Sequence, residues 1–158
     1  MRRVFADELL KHMDKDERIV LLTGDLGYKM FDEIREKYPN RFLNCGAAEQ
    51  AMLDIAIGLT YGGKIPFCYS ITPFLIYRPF EALRTYINHE KIPVKLVGSG
   101  RDKDYEHGGI SHHAHDVKGF LDQFENIKQY WPMAKGAVPK MLRKMLADEG
   151  PSFISLRR

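Results

Sequence analysis

The sequence predicts an α/β domain with a mainly parallel sheet flanked by helices on both faces. Strand and helix signals alternate along the whole chain, the pattern of layered α/β folds. Ile19-Val20-Leu21-Leu22 is a continuous apolar run, as expected of a strand buried on both faces, and residues 94–97 read as another apolar strand. The 158 residues suit one domain with a substantial core, and no repeat, low-complexity segment or linker divides them, so the domain is taken as 1–158.

In chain order, residues 4–13 read as a helix with Phe5, Leu9, Leu10 and Met13 on one side. The strand at 19–22 is followed by a turn, Thr23-Gly24-Asp25-Leu26-Gly27. Residues 30–37 read as a helix that must end before Pro39. Phe42-Leu43 is a short strand, and Gly46 permits a tight turn into the next helix. That helix runs from Glu49 to about residue 61, with Met52, Ile55, Ala56 and Leu59 at i, i+3, i+4 and i+7, and Gly62-Gly63 closes it. Further strands are expected at 65–69, 94–97, 126–130 and 152–156, and further helices at 80–88 and 138–146. Residues 98–116 form a long loop rich in Gly, His and Asp, of a length that is usually functional or disordered. Ligands of such sheets bind beyond the carboxyl ends of the strands. That rule gathers Asp25, Glu49, the segment around Phe74 and the long loop at one rim. On spacing alone, Glu49 is an ordinary first-turn acid favoured by the helix dipole.

Composition narrows the function classes. The formal net charge is +3, and the basic residues are dispersed apart from Arg2-Arg3 and Arg157-Arg158, which argues against a nucleic-acid-binding stripe. Cys45 and Cys68 lie beside apolar residues and read as reduced, buried thiols in a cytoplasmic setting. Residues 1–13 lack the apolar core of a signal peptide, and no apolar run approaches the roughly 18 residues of a membrane span. His107, His112, His113 and His115 with Asp116 do not have a standard zinc spacing, so no metal site is assigned to the chain.

Read together, seven segments resemble, in order and spacing, the pyrimidine-binding domain of transketolase-like thiamine diphosphate enzymes. Arg2 with Phe5 resembles the opening arginine motif, and Gly24-Asp25-Leu26 the acidic turn after the first strand. Residues 41–50, RFLNCGAAEQ, resemble the RF-N-G-EQ block. Residues 74–84, FLIYRPFEALR, are similar to the F-x-x-F-R-x-x-E-x-x-R block. Residues 93–99, the Gly108-Gly109-Ile110-Ser111-His112 loop and residues 151–158 resemble the following strand, the DG-x-(S/T)H loop and the closing strand.

This resemblance implies roles. Glu49 matches the glutamate that hydrogen-bonds a ring nitrogen of the cofactor's aminopyrimidine and promotes the tautomer that activates the thiazolium carbon, which serves as nucleophile and electron sink. The cluster Phe67, Phe74, Tyr77 and Phe80 reads on its own as core rings; the resemblance implies that Phe74 or Tyr77, with Tyr77 preferred, stacks on the pyrimidine. Asp25 resembles an acid near the cofactor, or else is a turn cap. His112 resembles a loop histidine that contacts the substrate, with His113 its neighbour. Arg158, with Arg2 as counterpart, resembles an arginine that binds substrate phosphate through fork-shaped hydrogen bonds.

Two positions depart from the pattern: Gly100 stands where many transketolases have histidine, and Gly108 where they have aspartate. The family's GDG turn and downstream asparagine, which hold Mg²⁺ and the diphosphate, have no counterpart here, so those ligands are expected on a separate diphosphate-binding subunit. The implied assembly is a homodimer of this chain within a hetero-tetramer, transferring a two-carbon ketol unit between sugars. A related synthase or 2-oxo acid decarboxylase component, and a non-catalytic regulatory partner domain, are the alternatives.

Overall fold

The computed structural model describes residues 1–158. Six strands form one sheet: β1 (Ile19–Thr23), β2 (Phe42–Asn44), β3 (Ile65–Ile71), β4 (Lys95–Ser99), β5 (Lys128–Tyr130) and β6 (Ser152–Leu156). Their order is β2-β1-β3-β4-β6-β5, and every pair is parallel. The sheet is thus wholly rather than mainly parallel, and each parallel pair needs a crossover connection such as the helices provide.

Alternate side chains of each strand feed two cores. Val20 and Leu22 of β1 point into one, with Cys68, Leu96 and Phe153. It is covered by α3 (Glu49–Tyr61), α4 (Thr72–Tyr77), α5 (Phe80–Ala82) and α6 (Val117–Leu121). Ile19 and Leu21 point into the other, with Phe67, Val97 and Ile154. It is covered by α1 (Arg2–Met13), α2 (Asp32–Lys37) and α7 (Val138–Ala147). Two dry faces explain why the strands read as apolar runs rather than alternating ones. No helix is long and apolar enough to cross a membrane.

The expected helix at 80–88 begins as α5 and widens into a π-helical stretch, Leu83–His89. The short helices α4 and α6 lie where no helix was expected. The 98–116 loop is ordered by two 3₁₀ turns, Glu106–Gly108 and Ile110–His112, and by a bridge between Asp102 and Ala114.

The stripe that α3 buries is also rotated from the expected one. Glu49, Met52, Leu53, Ala56 and Ile57 face inward, while Ile55 is exposed. The true stripe therefore has Glu49 at its head.

Candidate functional site

The carboxyl ends of β1, β3 and β4 meet the start of α3, and there the sheet buries a carboxylate. Asn44, the last residue of β2, shapes the approach. Its Oδ1 accepts the backbone N–H groups of Asp25 and Gly46, both 3.0 Å away. Gly46 has φ +71°, a left-handed conformation that suits glycine, and it turns the chain into α3. Glu49 then lies in the first helical turn and is 1% exposed.

A buried carboxylate needs donors. Ser70 on β3 donates to Glu49 Oε1 at 2.7 Å, and Arg78, just past α4, donates to Oε2 at 2.7 Å. Each oxygen has one donor, and the carboxyl group has room for a further hydrogen bond. Gly24 lies against the same group: a Cβ there would sit 2.8 Å from Ser70 Oγ and 3.0 Å from Glu49 Oε1. The missing side chain lets the Gly24 backbone close on Ser70 and the carboxylate. Sequence reading did not single out Ser70 or Arg78. Glu49 heading the buried stripe of α3 was the available signal, since a desolvated acid must find partners elsewhere in the fold.

From Arg78 the contacts run outward. Its guanidinium lies 3.8 Å from the Phe74 ring centre, and Phe74 meets His112 edge-on at 4.8 Å. Glu49, Phe74 and His112 are therefore joined in one line through Arg78. Tyr77 is directed elsewhere, packing edge-on against Phe120 at 5.2 Å. Burial is the main cause that pushes its phenol pKa up, with Asp116 adding to the shift. Asp25 is exposed, with φ +53°; its carboxylate accepts from the Tyr28 hydroxyl and from Asn44, and these bonds hold its pKa below the usual carboxylate range. His113 stands beside His115 and away from Glu49's partners.

Both unexpected glycines are places where another side chain of this chain moves in. A Cβ on Gly108 would lie 2.5 Å from the His112 ring, so the missing side chain seats that histidine. A Cβ on Gly100 would collide with the Tyr105 ring. The Tyr105 hydroxyl is 2.7 Å from Arg2 and 2.9 Å from Ser99 Oγ, and Arg158 lies 5.4 Å from the ring centre. Arg2 and Arg158 both line a cavity of about 470 Å³. No cluster of His, Cys, Asp and Glu in the structure could hold a metal ion. Cys68 is fully buried and Cys45 partly so; both thiols are free, and burial pushes their pKa values up.

The family model for the transketolase pyrimidine-binding domain matches residues 1–158. The chain belongs to that family. It is 30% identical over 159 residues to a 6-deoxy-6-sulfo-D-fructose transketolase subunit of Clostridium sp. (strain MSTE9), covering 100% of this chain and 49% of the relative. It is 30% identical over 121 residues to one of the apulose-4-phosphate transketolase subunits of Actinobacillus succinogenes, covering 77% and 39%. A solved split-gene transketolase, described as an inactive beta4 tetramer, superposes with a TM-score of 0.87 at 29% identity, covering 99% of this chain and 51% of the other. The chain spans about half the length of the first of these relatives and of that structure. The family is one of thiamine diphosphate-dependent enzymes.

Proposed function

We propose that this chain is the pyrimidine-binding component of a transketolase-like enzyme that transfers a two-carbon ketol unit between sugars, and that a separate subunit supplies the diphosphate and Mg²⁺ ligands. The observation that carries the reading is Glu49: desolvated, fixed by Ser70 and Arg78, with hydrogen-bonding capacity left and glycine backbone rather than a side chain beside it. Those features fit an aminopyrimidine ring. A domain that served only as scaffold would gain nothing from burying an acid at that cost.

Thiamine diphosphate, when bound, supplies a carbon nucleophile and an electron sink. The residues of this chain do the rest. Glu49 would donate its carboxyl proton to a ring nitrogen of the neutral pyrimidine and share that proton with it. Ser70 and Arg78 fix the carboxylate so that no reorientation is needed when the ring arrives. Phe74, tied to Glu49 through Arg78, is the better-placed stacking ring, and Tyr77 braces it from the α6 side. His112, seated over Gly108 against Phe74, faces the reacting end of the substrate, with His113 beside it. Asp25 lies across the rim and orders Tyr28. Arg2 and Arg158 bind the anionic end of the sugar. The enzyme assembles as a homodimer of this chain within a hetero-tetramer in the cytoplasm.

The relatives' names include a sulfo-sugar and a phospho-sugar transketolase. Both substrate types end in an anion, which suits the arginine pair. The test is thiamine diphosphate and Mg²⁺ binding by calorimetry, for this chain alone and mixed with a candidate diphosphate-binding subunit. Micromolar binding only in the mixture, weakened at least tenfold by Glu49→Gln with loss of ketol transfer, is the expected result. Equal binding by wild type and Glu49→Gln would remove the central role of that residue.

A further inference from the structure

The cavity of about 470 Å³ at the rim is lined by Arg2, Arg3 and Arg158 with Leu26, Gly27 and Tyr28, and no Asp or Glu is among its lining residues. Three guanidinium groups on one concavity favour an anion. They are not equivalent. Arg3 already donates to the carbonyls of Lys29 and Met30, at 2.7 and 3.2 Å. Arg2 uses one donor, on Tyr105, and the Arg158 side chain makes no hydrogen bond, so most of their donors remain free.

Tyr105 is what relates those two arginines. It comes from the 98–116 loop and is 9% exposed. Its ring lies on Gly100, whose φ of +82° and missing Cβ let it approach. Its hydroxyl bridges Arg2 and Ser99, and its ring lies near both guanidinium carbons, at 6.0 Å from Arg2 and 5.4 Å from Arg158. The loop is pinned to Arg158 as well, since Asp104 Oδ2 accepts the backbone N–H groups of Arg158 and Arg101, both at 3.0 Å. Beneath this group the Tyr69 hydroxyl is buried without a hydrogen-bond partner; burial pushes its pKa up to about 12 against the opposing influence of Ser99 and Arg2.

We propose that Tyr105 is the positioning residue of a subsite for a tetrahedral oxyanion, holding Arg2 by its hydroxyl and Arg158 by its ring so that both guanidinium groups address one phosphate or sulfonate. It acts through the arginines. The proposal deepens the sugar-transferring reading and rests on it for the substrate's identity, but the subsite itself is testable without cofactor or partner. Inorganic phosphate and methanesulfonate are titrated separately into the full chain, followed by NMR of the arginine side-chain N–H signals. Wild type should show saturable shifts at Arg2 and Arg158. Tyr105→Phe, which keeps the ring, should weaken the tighter-binding anion about tenfold and make the Arg2 signals exchange faster with water, with the Arg158 shifts retained. Tyr105→Leu should also broaden the Arg158 response. A preference for phosphate marks a phospho-sugar end, and a preference for methanesulfonate a sulfo-sugar end.

In the assembled enzyme, Tyr105→Phe should raise the KM of the anionic sugar severalfold with kcat and thiamine diphosphate affinity unchanged, and leave an uncharged sugar unaffected. Absence of anion-induced shifts in wild type would overturn the proposal, as would equal affinities in wild type and Tyr105→Phe or an equal loss for charged and uncharged sugars. Failure of Glu49→Gln to weaken thiamine diphosphate binding is a separate result, bearing on the sugar-transfer reading and not on anion binding by Arg2 and Arg158.

Discussion

Glu49 and Arg78 form an asymmetric ion pair: the acid is 1% exposed, while the Arg78 side chain is 44% exposed. Water can serve Arg78 if its partner is lost, but it cannot reach Glu49. Arg78→Ala strands the buried carboxylate with one donor and should therefore cost about 3 kcal/mol, the low end for breaking a buried pair. Glu49→Gln should cost less, because Ser70 can still pair with the amide. The Glu49→Gln, Arg78→Ala double variant should be more stable than Arg78→Ala alone, since it no longer buries a charge with one donor. Urea midpoints of the four proteins check this cycle, and simple additivity would contradict it. Lys95 poses the opposite problem at the far ends of the strands. It is buried in β4 and donates to the carbonyls of Asp148 and Gly150, both at 2.7 Å. Desolvation lowers its pKa from 10.5 to about 8. The unfolded chain thus holds this proton more tightly, so stability is reduced below pH 8 and rises as pH increases from 8 to 10.5. Both hydrogen bonds survive, because a neutral amine retains two donors. Against Lys95→Met, the wild type should gain up to about 3 kcal/mol over that window in urea titrations; a flat difference would contradict the shift. Glu49 was legible in sequence from its motif, whereas Ser70, Arg78 and Lys95 were not. Their roles come from pairings across 21, 29 and 53 residues of chain, which no local pattern encodes.

At the scale of elements, the strands and the long helices were readable because each carries its own period: apolar runs for the strands and a buried stripe for α7. The six-residue α4 and the five-residue α6 were missed because helices this short are stabilised by tertiary contact rather than by propensity. Thr72 shows the mechanism. It opens α4 and its hydroxyl sits 2.5 Å from the Gly100 carbonyl and 3.2 Å from that of Ser99, tying the helix to the end of β4. The 98–116 loop stood out in sequence by its length and composition as functional or disordered, but its order was not legible, because that order depends on side chains filling two glycine positions. Gly108 is the sharper test of this. Its φ lies outside the left-handed region, so Gly108→Ala introduces no backbone strain, yet its Cβ would strike the His112 ring. The ring must rotate off Phe74. Thermal midpoint should fall by only a few degrees, equivalent to about 1 kcal/mol. The His112 side-chain NMR signals should move away from the ring-current field of Phe74. Unchanged His112 shifts would mean that the glycine is not what seats the histidine.

The whole molecule separates chemistry from support along the strand axis. Asp25, Glu49, Phe74, His112, Arg2 and Arg158 all gather at the carboxyl ends of the strands, while Lys95 and the Asp148 turn close the amino ends. Between them lie two cores that share one sheet, so each layer of helices is held by its own face. The position of a substitution should then decide which property changes. Leu142 is fully buried in α7, on the face away from Glu49's helix. Leu142→Ala should cost about 2–5 kcal/mol through lost transfer energy and a residual cavity. At this chain size each kcal/mol lowers the thermal midpoint by about 2–4 °C, so the fall should be of order 10 °C. Thiamine diphosphate affinity of the assembled enzyme should nonetheless stay within about twofold of wild type below the melting range, because no rim residue moves. Glu49→Gln should do the reverse, losing affinity with a nearly unchanged midpoint. Calorimetry and thermal melts on the same two preparations check both halves. If Leu142→Ala weakened cofactor binding at a temperature where it is fully folded, the two faces of the sheet would have to be coupled through the strands, and the rim could not be treated as a rigid platform.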